Sequence, residues 1–258
     1  MTTILTIAGS DSCGGAGIQA DIKTIHRLGA HALCAVTAVT AQNSRGVEAV
    51  YPIPAPFISK QIEAVVSDSP PKAVKIGMLH TLEAVRAVVR VIVRRDLPNV
   101  VLDPVLCAST GEWLLEPGAL DFFREELIPR VRVITPNLPE ASMLTGSSVE
   151  TVEEAEVAAR TLRALGPDVV VTGGHLKGLC VDVLYDETGP HRFSGERIET
   201  SCTHGTGCVF SSAVATALGM GMELSSAVEQ ARTLVRNALR RGYACGMGTG
   251  LVDPLAGT

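Results

Sequence analysis

"ILTIAGSDSCGGAGIQADIKTIHRLGAHALCAVTAVTA", Ile4 to Ala41, decides the fold. Its first five residues form a short apolar run, which reads as a buried strand over 4–8. Glycines 14, 15 and 17 follow, and then Ile18, Ile22, Ile25 and Leu28 recur at helical spacing. A second apolar run, "LCAVTAVTA" (33–41), reads as the next strand. Strand, glycine turn, helix and strand make a βαβ unit, and such a unit implies parallel pairing.

The same rhythm continues down the chain. "AVKIG" (73–77), "NVVLD" (99–103), "VRVIT" (131–135) and "DVVVT" (168–172) read as strands. Leu82, Val85, Val88, Val89, Ile92 and Val93 form a helical stripe, and 118–128 and 151–165 are helical stretches. Val209, Phe210, Ala213, Val214, Ala217 and Leu218 mark one late helix, and Leu224, Ala227, Val228, Ala231, Leu234 and Val235 another. One stretch breaks the alternation: "CVDVLYDETGPHRFSG" (180–195) reads as a β-hairpin turning around Asp186–Gly189. The expected fold class is α/β, with a mainly parallel sheet covered on both faces and a small antiparallel portion. No linker or low-complexity segment interrupts it, so residues 1–258 are expected to form a single domain.

Composition narrows the partners. The chain has 258 residues, 46% hydrophobic and 19% charged, with a net charge of −5. There is no basic run or stacking-aromatic pattern, so no nucleic acid partner is expected. No run of about 18 apolar residues appears and the N-terminus has no signal-peptide pattern, so no membrane partner is expected either. The seven cysteines are odd in number and lack a CxxC pair, which points to free thiols in the cytoplasm and away from zinc.

In an open parallel sheet, ligands bind beyond the carboxyl ends of the strands. Here those ends carry "GSDSCGGAG", "QNS", "ML", "DPV", "PNLPE" and "GGH". The first is a glycine turn into a helix, open to either an anion-cradle reading or a plain flexible turn. Asp103 and Glu140, from neighbouring strand ends, suit Mg²⁺, which keeps several of its waters. A turn-stabilising Asp and a first-turn acid are the plain alternatives. "HGTGC" (204–208) opens a long helix, so the N–H groups from Gly205 through Thr206 and Gly207 to Cys208 suit an anion. Cys208, at the helix N-terminus, is expected to have a lowered pKa, with a buried core cysteine as the alternative.

Seven collinear stretches carry a family resemblance: "TIAGSDSCGGAGIQADIKT", "TAVTAQNSRGV", "VKIGML", "VLDPV", "ITPNLPEA", "VTGGH" and "HGTGCVFSSA". Together with the tail "CGMGTGLVDP", they resemble the hydroxymethylpyrimidine/phosphomethylpyrimidine kinases of thiamine synthesis, within the ribokinase-like superfamily. The resemblance implies a three-layer α/β/α fold, with ATP as co-substrate and Mg²⁺ as cofactor. It implies phosphorylation of 4-amino-5-hydroxymethyl-2-methylpyrimidine and then of its monophosphate. It makes Cys208 the group that takes or steers the hydroxyl proton, and Gly205 to Cys208 the anion hole. It puts Gln42 against the pyrimidine, with Gly9, Asp21 and Met78 in the same pocket. It puts Asn137, Thr172 and Gly174 at ATP, and Lys177, close in sequence, is the candidate substitute there for the lysines that this chain lacks. Many such kinases have Lys at the positions of Thr172 and Met247, and Gly at Cys13. They are commonly homodimers. Pyridoxal kinases of the same superfamily are the nearest rival reading, and a non-catalytic pyrimidine sensor is a third.

Overall fold

The computed structural model describes residues 1–108, 111–176 and 178–255. A nine-stranded sheet runs in the order β3-β2-β1-β4-β5-β6-β7-β8-β9. Its strands are β1 (Thr3–Ser10), β2 (His31–Asn43), β3 (Gly46–Pro52), β4 (Ala73–Ile76), β5 (Val100–Leu102), β6 (Val133–Ile134), β7 (Asp168–Val171), β8 (Cys180–Asp186) and β9 (Gly189–Gly195). The strands from β2 through β1, β4, β5 and β6 to β7 pair in parallel. The hairpin over 180–195 forms as expected and pairs antiparallel on one edge. The other edge differs from expectation, because β3 folds back antiparallel on β2.

The helices are α1 (Gly17–Arg27), α2 (Ala55–Asp68), α3 (Leu82–Arg95), α4 (Leu120–Phe122, inside a run of short helical turns over 117–130), α5 (Leu138–Thr145), α6 (Val152–Arg163), α7 (Thr206–Gly219) and α8 (Leu224–Arg240). Strand alternation sends side chains into two cores. Leu5, Ile7, Val74 and Ile76 pack with α2, α3, α5 and α6 on one face. Ile4, Ala73 and Val101 pack with α1, α7 and α8 on the other. The result is the expected three-layer α/β/α arrangement. Among the described residues, no helix is long and apolar enough to cross a membrane.

Helix α7 is the central one. Ten of its fourteen residues are buried, including Ser211, Ser212 and Thr216. A helix buried on most sides must satisfy its hydroxyls locally. Thr216 donates to the Ser212 carbonyl, and the two serines reach acids from other elements. That need fixes the floor of the site.

Candidate active site

The carboxyl ends of the parallel strands open into one cleft of about 820 Å³. Two glycine turns meet at its centre. Gly205 caps α7 with φ +95°, and a Cβ there would lie 1.9 Å from the Gly15 carbonyl oxygen. A Cβ on Gly15 would in turn strike the His204 ring at 2.5 Å. Only glycine permits both the left-handed turn and this approach. Gly205→Ala is therefore expected to lower stability by at least about 1–3 kcal/mol, the scale of one strained backbone position. Equilibrium denaturation against wild type checks this.

The first glycine turn is not an anion cradle. Asp11 is buried, and its carboxylate accepts N–H bonds from Cys13 (2.8 Å), Gly15 (3.0 Å) and Ala16 (2.8 Å). His204 Nε2 lies 2.9 Å from the same carboxylate. Burial acts to raise the Asp11 pKa, but His204 and these N–H groups more than offset it and hold the carboxyl below its ordinary range. The loop is thus satisfied from within.

The second turn keeps its donors only in part. The Thr206 N–H bonds to the Thr203 carbonyl at 3.3 Å, so Thr206 leaves the proposed anion hole, although it still lines the cleft. Gly207 and Cys208 stand in the first turn of α7, where N–H groups have no intrahelical acceptor. The lowered Cys208 pKa does not hold. Burial pushes the thiol up to about 12, and the Asp21 and Asp103 charges add to that, against Lys75 and the Gly17 N–H. Cys208 is only half-buried as a residue, but its sulfur sits among these charges at the cleft floor. Desolvation therefore outweighs the helix terminus.

Asp21 is also not where the resemblance puts it. It is fully buried and does not line the cleft. Its carboxylate accepts from Thr6 Oγ1 (2.6 Å), Ser212 Oγ (2.8 Å) and Lys75 Nζ (2.9 and 3.1 Å). The residue that does reach the cleft is Lys75, whose Nζ also lies 3.9 Å from Asp103. Burial alone would lower the Lys75 pKa, but Asp21, Cys208 and Asp103 raise it well above normal. Sequence reasoning passed over Lys75 inside "AVKIG". The signal was there, because a lysine in a strand buried on both faces needs a carboxylate.

Asp103 and Glu140 stand close enough for their charges to interact. Both are buried and both line the cleft. Ser211 Oγ donates to Asp103 at 3.0 Å. Glu140 belongs to a capping box: it accepts from the Asn137 N–H at 2.9 Å, and Asn137 Oδ1 accepts from its N–H at 2.9 Å. Burial raises both carboxyl pKa values, Glu140 well above normal, and the Asp103 charge raises Glu140 further. Among the described residues, no three acidic, histidine or cysteine side chains converge as a closed metal cage.

The walls complete the cleft. A bulge in the β2–β3 pairing between Ala41 and Gln42 re-aims Gln42 toward the cavity. Gly9 and Met78 lie side by side there, since a Cβ on Gly9 would be 3.2 Å from Met78 Sδ. Asn137, Thr172 and Gly174 line the far end. Lys177 lies outside the described residues.

The sequence matches the family described as phosphomethylpyrimidine kinase over residues 11–253. The chain belongs to the phosphomethylpyrimidine kinase family. A hydroxymethylpyrimidine/phosphomethylpyrimidine kinase from Streptomyces coelicolor is 43% identical over 97% of this chain and 93% of its own. The thiamine biosynthesis bifunctional protein ThiED of Geobacter sulfurreducens is also 43% identical, and the chain spans 52% of its length. Among solved structures, a Bacillus subtilis pyridoxal kinase in complex with ADP superposes with a TM-score of 0.93 at 38% identity, covering 99% of this chain and 98% of that one.

Within this chain, the two positions without the lysine differ in place. Thr172 lines the cleft, and its N–H donates to the Pro136 carbonyl at 2.9 Å. Met247 is 82% exposed, with Arg45 Nη2 3.4 Å from its sulfur. The tail passes over Ser44 and pairs with the His204 backbone, which packs the kinase's tail glycines against the site.

Proposed function

We propose that this chain transfers a phosphoryl group from ATP to the hydroxymethyl oxygen of 4-amino-5-hydroxymethyl-2-methylpyrimidine, and then phosphorylates the monophosphate to the diphosphate. One observation carries the reading. Gln42, the Asp103–Glu140 pair and the first turn of α7 face one another across a single cleft.

A Gln amide suits an aminopyrimidine, because it accepts from the exocyclic amine while donating to a ring nitrogen. Met78 and Gly9 give the ring an apolar bed. At the other end, Asn137, Thr172 and Gly174 border the space for nucleotide. The ADP bound by the Bacillus pyridoxal kinase supports ATP as donor.

Mg²⁺ fits the acid pair. Asp103 and Glu140 are buried and repel each other, and the Lys75 ammonium beside them is held by Asp21. Two carboxylates are enough for an ion that keeps several waters. Bound there, Mg²⁺ would screen the phosphate charges of the nucleotide. The chain itself supplies the rest. Gly207 and Cys208 direct N–H groups and the positive end of α7 toward the transferred group. Cys208 holds the substrate hydroxyl in line and steers its proton. Little more is required, because the transition state is loose and its stabilisation is mainly positioning and charge.

We place the enzyme in the cytoplasm, in keeping with seven free cysteines. We also propose a homodimer, in keeping with the exposed cross-strand pair Val39 and Tyr51 on the outer strands.

The likeness to a pyridoxal kinase makes pyridoxal the second candidate substrate. Incubation with MgATP and either compound, followed by product mass over time, separates them. A pyrimidine monophosphate that gives way to diphosphate is expected. Dominant pyridoxal phosphate would overturn the substrate assignment, and no product from either would favour a pyrimidine sensor. Gln42→Ala is expected to raise the pyrimidine KM far more than the ATP KM in steady-state assays. Equal effects on both would remove Gln42 from the substrate wall.

A further inference from the structure

Gln42 can read a substrate only if its amide is held one way round. The two ends of an amide are nearly the same size, so its neighbours' hydrogens decide the orientation. Gln42 Nε2 lies 3.4 Å from His204 Nε2 and its Oε1 3.3 Å from Thr40 Oγ1. Ser12 clamps the backbone, accepting from the Gln42 N–H and donating to the Gln42 carbonyl, both at 2.8 Å. The side chain alone is left to choose.

His204 decides one end. Its Nε2 stands 2.9 Å from Asp11 Oδ2, a carboxylate that can only accept. Nε2 therefore carries a hydrogen, directed mainly at Asp11, and has no lone pair for a Gln42 N–H; only an amide oxygen, sharing that hydrogen at longer range, suits it. Thr40 decides the other end. Its single hydroxyl hydrogen goes to the Ser10 carbonyl at 3.0 Å, which leaves its oxygen to accept. Both neighbours call for the amide turned end for end: Oε1 toward His204 and the NH₂ toward Thr40. Turned this way, each end has one site left for the cleft, an acceptor on the His204 side and a donor on the Thr40 side.

We propose that His204, held by Asp11, is a positioning residue that fixes the polarity of the Gln42 amide, so that the site reads an amine beside a ring nitrogen in one register. The inference rests on the pyrimidine reading above. His204 has no catalytic part in it. Its packing under Gly15 and its backbone bonds to the tail, N–H to the Gly250 carbonyl at 3.1 Å and carbonyl from the Val252 N–H at 3.2 Å, hold the ring in place. With the donor gone, the amide is free to turn, and discrimination against a ring lacking the amine declines.

The test compares His204→Met with His204→Gln, which carries a donor at similar reach. For His204→Met, the pyrimidine KM is expected to rise about three- to tenfold, the worth of one hydrogen bond, with kcat and the ATP KM nearly unchanged. The ratio of pyrimidine to pyridoxal kcat/KM falls with it, and His204→Gln restores most of the loss. Equal losses for both substrates, or equal behaviour of the two variants, would overturn the proposal. The wild-type enzyme gives an independent readout that needs no variant. The ¹⁵N spectrum should show His204 Nε2 protonated in the free protein, and a bare Nε2 there would overturn the proposal even if the pyrimidine is turned over. A wild type that phosphorylates no pyrimidine would instead overturn the underlying assignment.

Discussion

Cys208→Ala is expected to lower turnover by roughly 10²-fold or more, the usual scale for losing a proton-handling group. Cys208→Ser is expected to retain most of the activity. The difference between the two follows from the state of the thiol. Burial, with Asp21 and Asp103 nearby, pushes it up to about 12, so the resting enzyme holds a neutral S–H. A neutral thiol steers a hydroxyl proton by position, and a serine hydroxyl does that too. A resting thiolate base could not be replaced by serine. Single-turnover assays of both variants at saturating MgATP decide it: a serine enzyme as slow as the alanine enzyme would restore the thiolate. The same cause predicts an alkaline weakness. An unfolded thiol ionises from about 9, whereas the folded one keeps its proton to about 12, so stability declines as pH rises through that window. Lys75 acts in the same direction above its ordinary 10.5, because its folded pKa is raised. Denaturation midpoints measured from pH 8 upward should decline, and by less in Cys208→Ala.

The regular part of this fold was legible because its signals are local. "ILTIA", "DVVVT" and the 180–195 hairpin lie close to where their strands form. The parallel strands carry continuous apolar runs since both faces are covered. The polar and glycine-rich segments after them do line the cleft. Strand β3 was not legible: "GVEAVYP" lies largely exposed at the sheet edge and has no buried alternation to mark it. Helix α2 carries a stripe of Ile58, Ile62 and Val66 at spacing four, a signal present but not used.

The site divides in the same way. Gln42, Met78, Asp103, Glu140 and Cys208 reach the cleft, and the resemblance supplied what spacing alone left open. Asp21 and the Cys208 pKa went astray for one reason. Asp21 is held by Lys75 and Ser212, and the Cys208 thiol stands among Lys75, Asp21 and Asp103, all of them approaching from other elements across long sequence separations. Sequence shows a thiol at a helix N-terminus. It does not show that two carboxylates stand beside that thiol, and desolvation then outweighs the dipole. The Asp11–His204 contact, 193 residues apart, is equally silent in sequence.

The largest effect on stability is expected from Lys75→Met. Strand alternation points residue 75 to the Ala73 face, toward α1 and α7, where Asp21 and Asp103 await it. Methionine fits that space and removes only the charge. Asp21 then keeps two hydroxyl donors, from Thr6 and Ser212, but no cation. Asp103 keeps Ser211 and gains unopposed repulsion from Glu140. Breaking a buried pair from one side costs about 3–5 kcal/mol, mainly because the remaining charge stays desolvated. A domain of ordinary stability, about 5–15 kcal/mol, would keep little margin. The double variant Lys75→Met/Asp21→Asn removes both charges, and denaturant titration should show it recovering a good part of the loss, since the two sites are in direct contact. A single-variant loss no larger than the ~0.5 kcal/mol of a surface change would show that the carboxylates neutralise instead. Activity supplies the second readout. If Lys75 is structural alone, the stabilised double variant regains turnover with stability. If its charge also serves the cleft it lines, the double variant folds and remains slow.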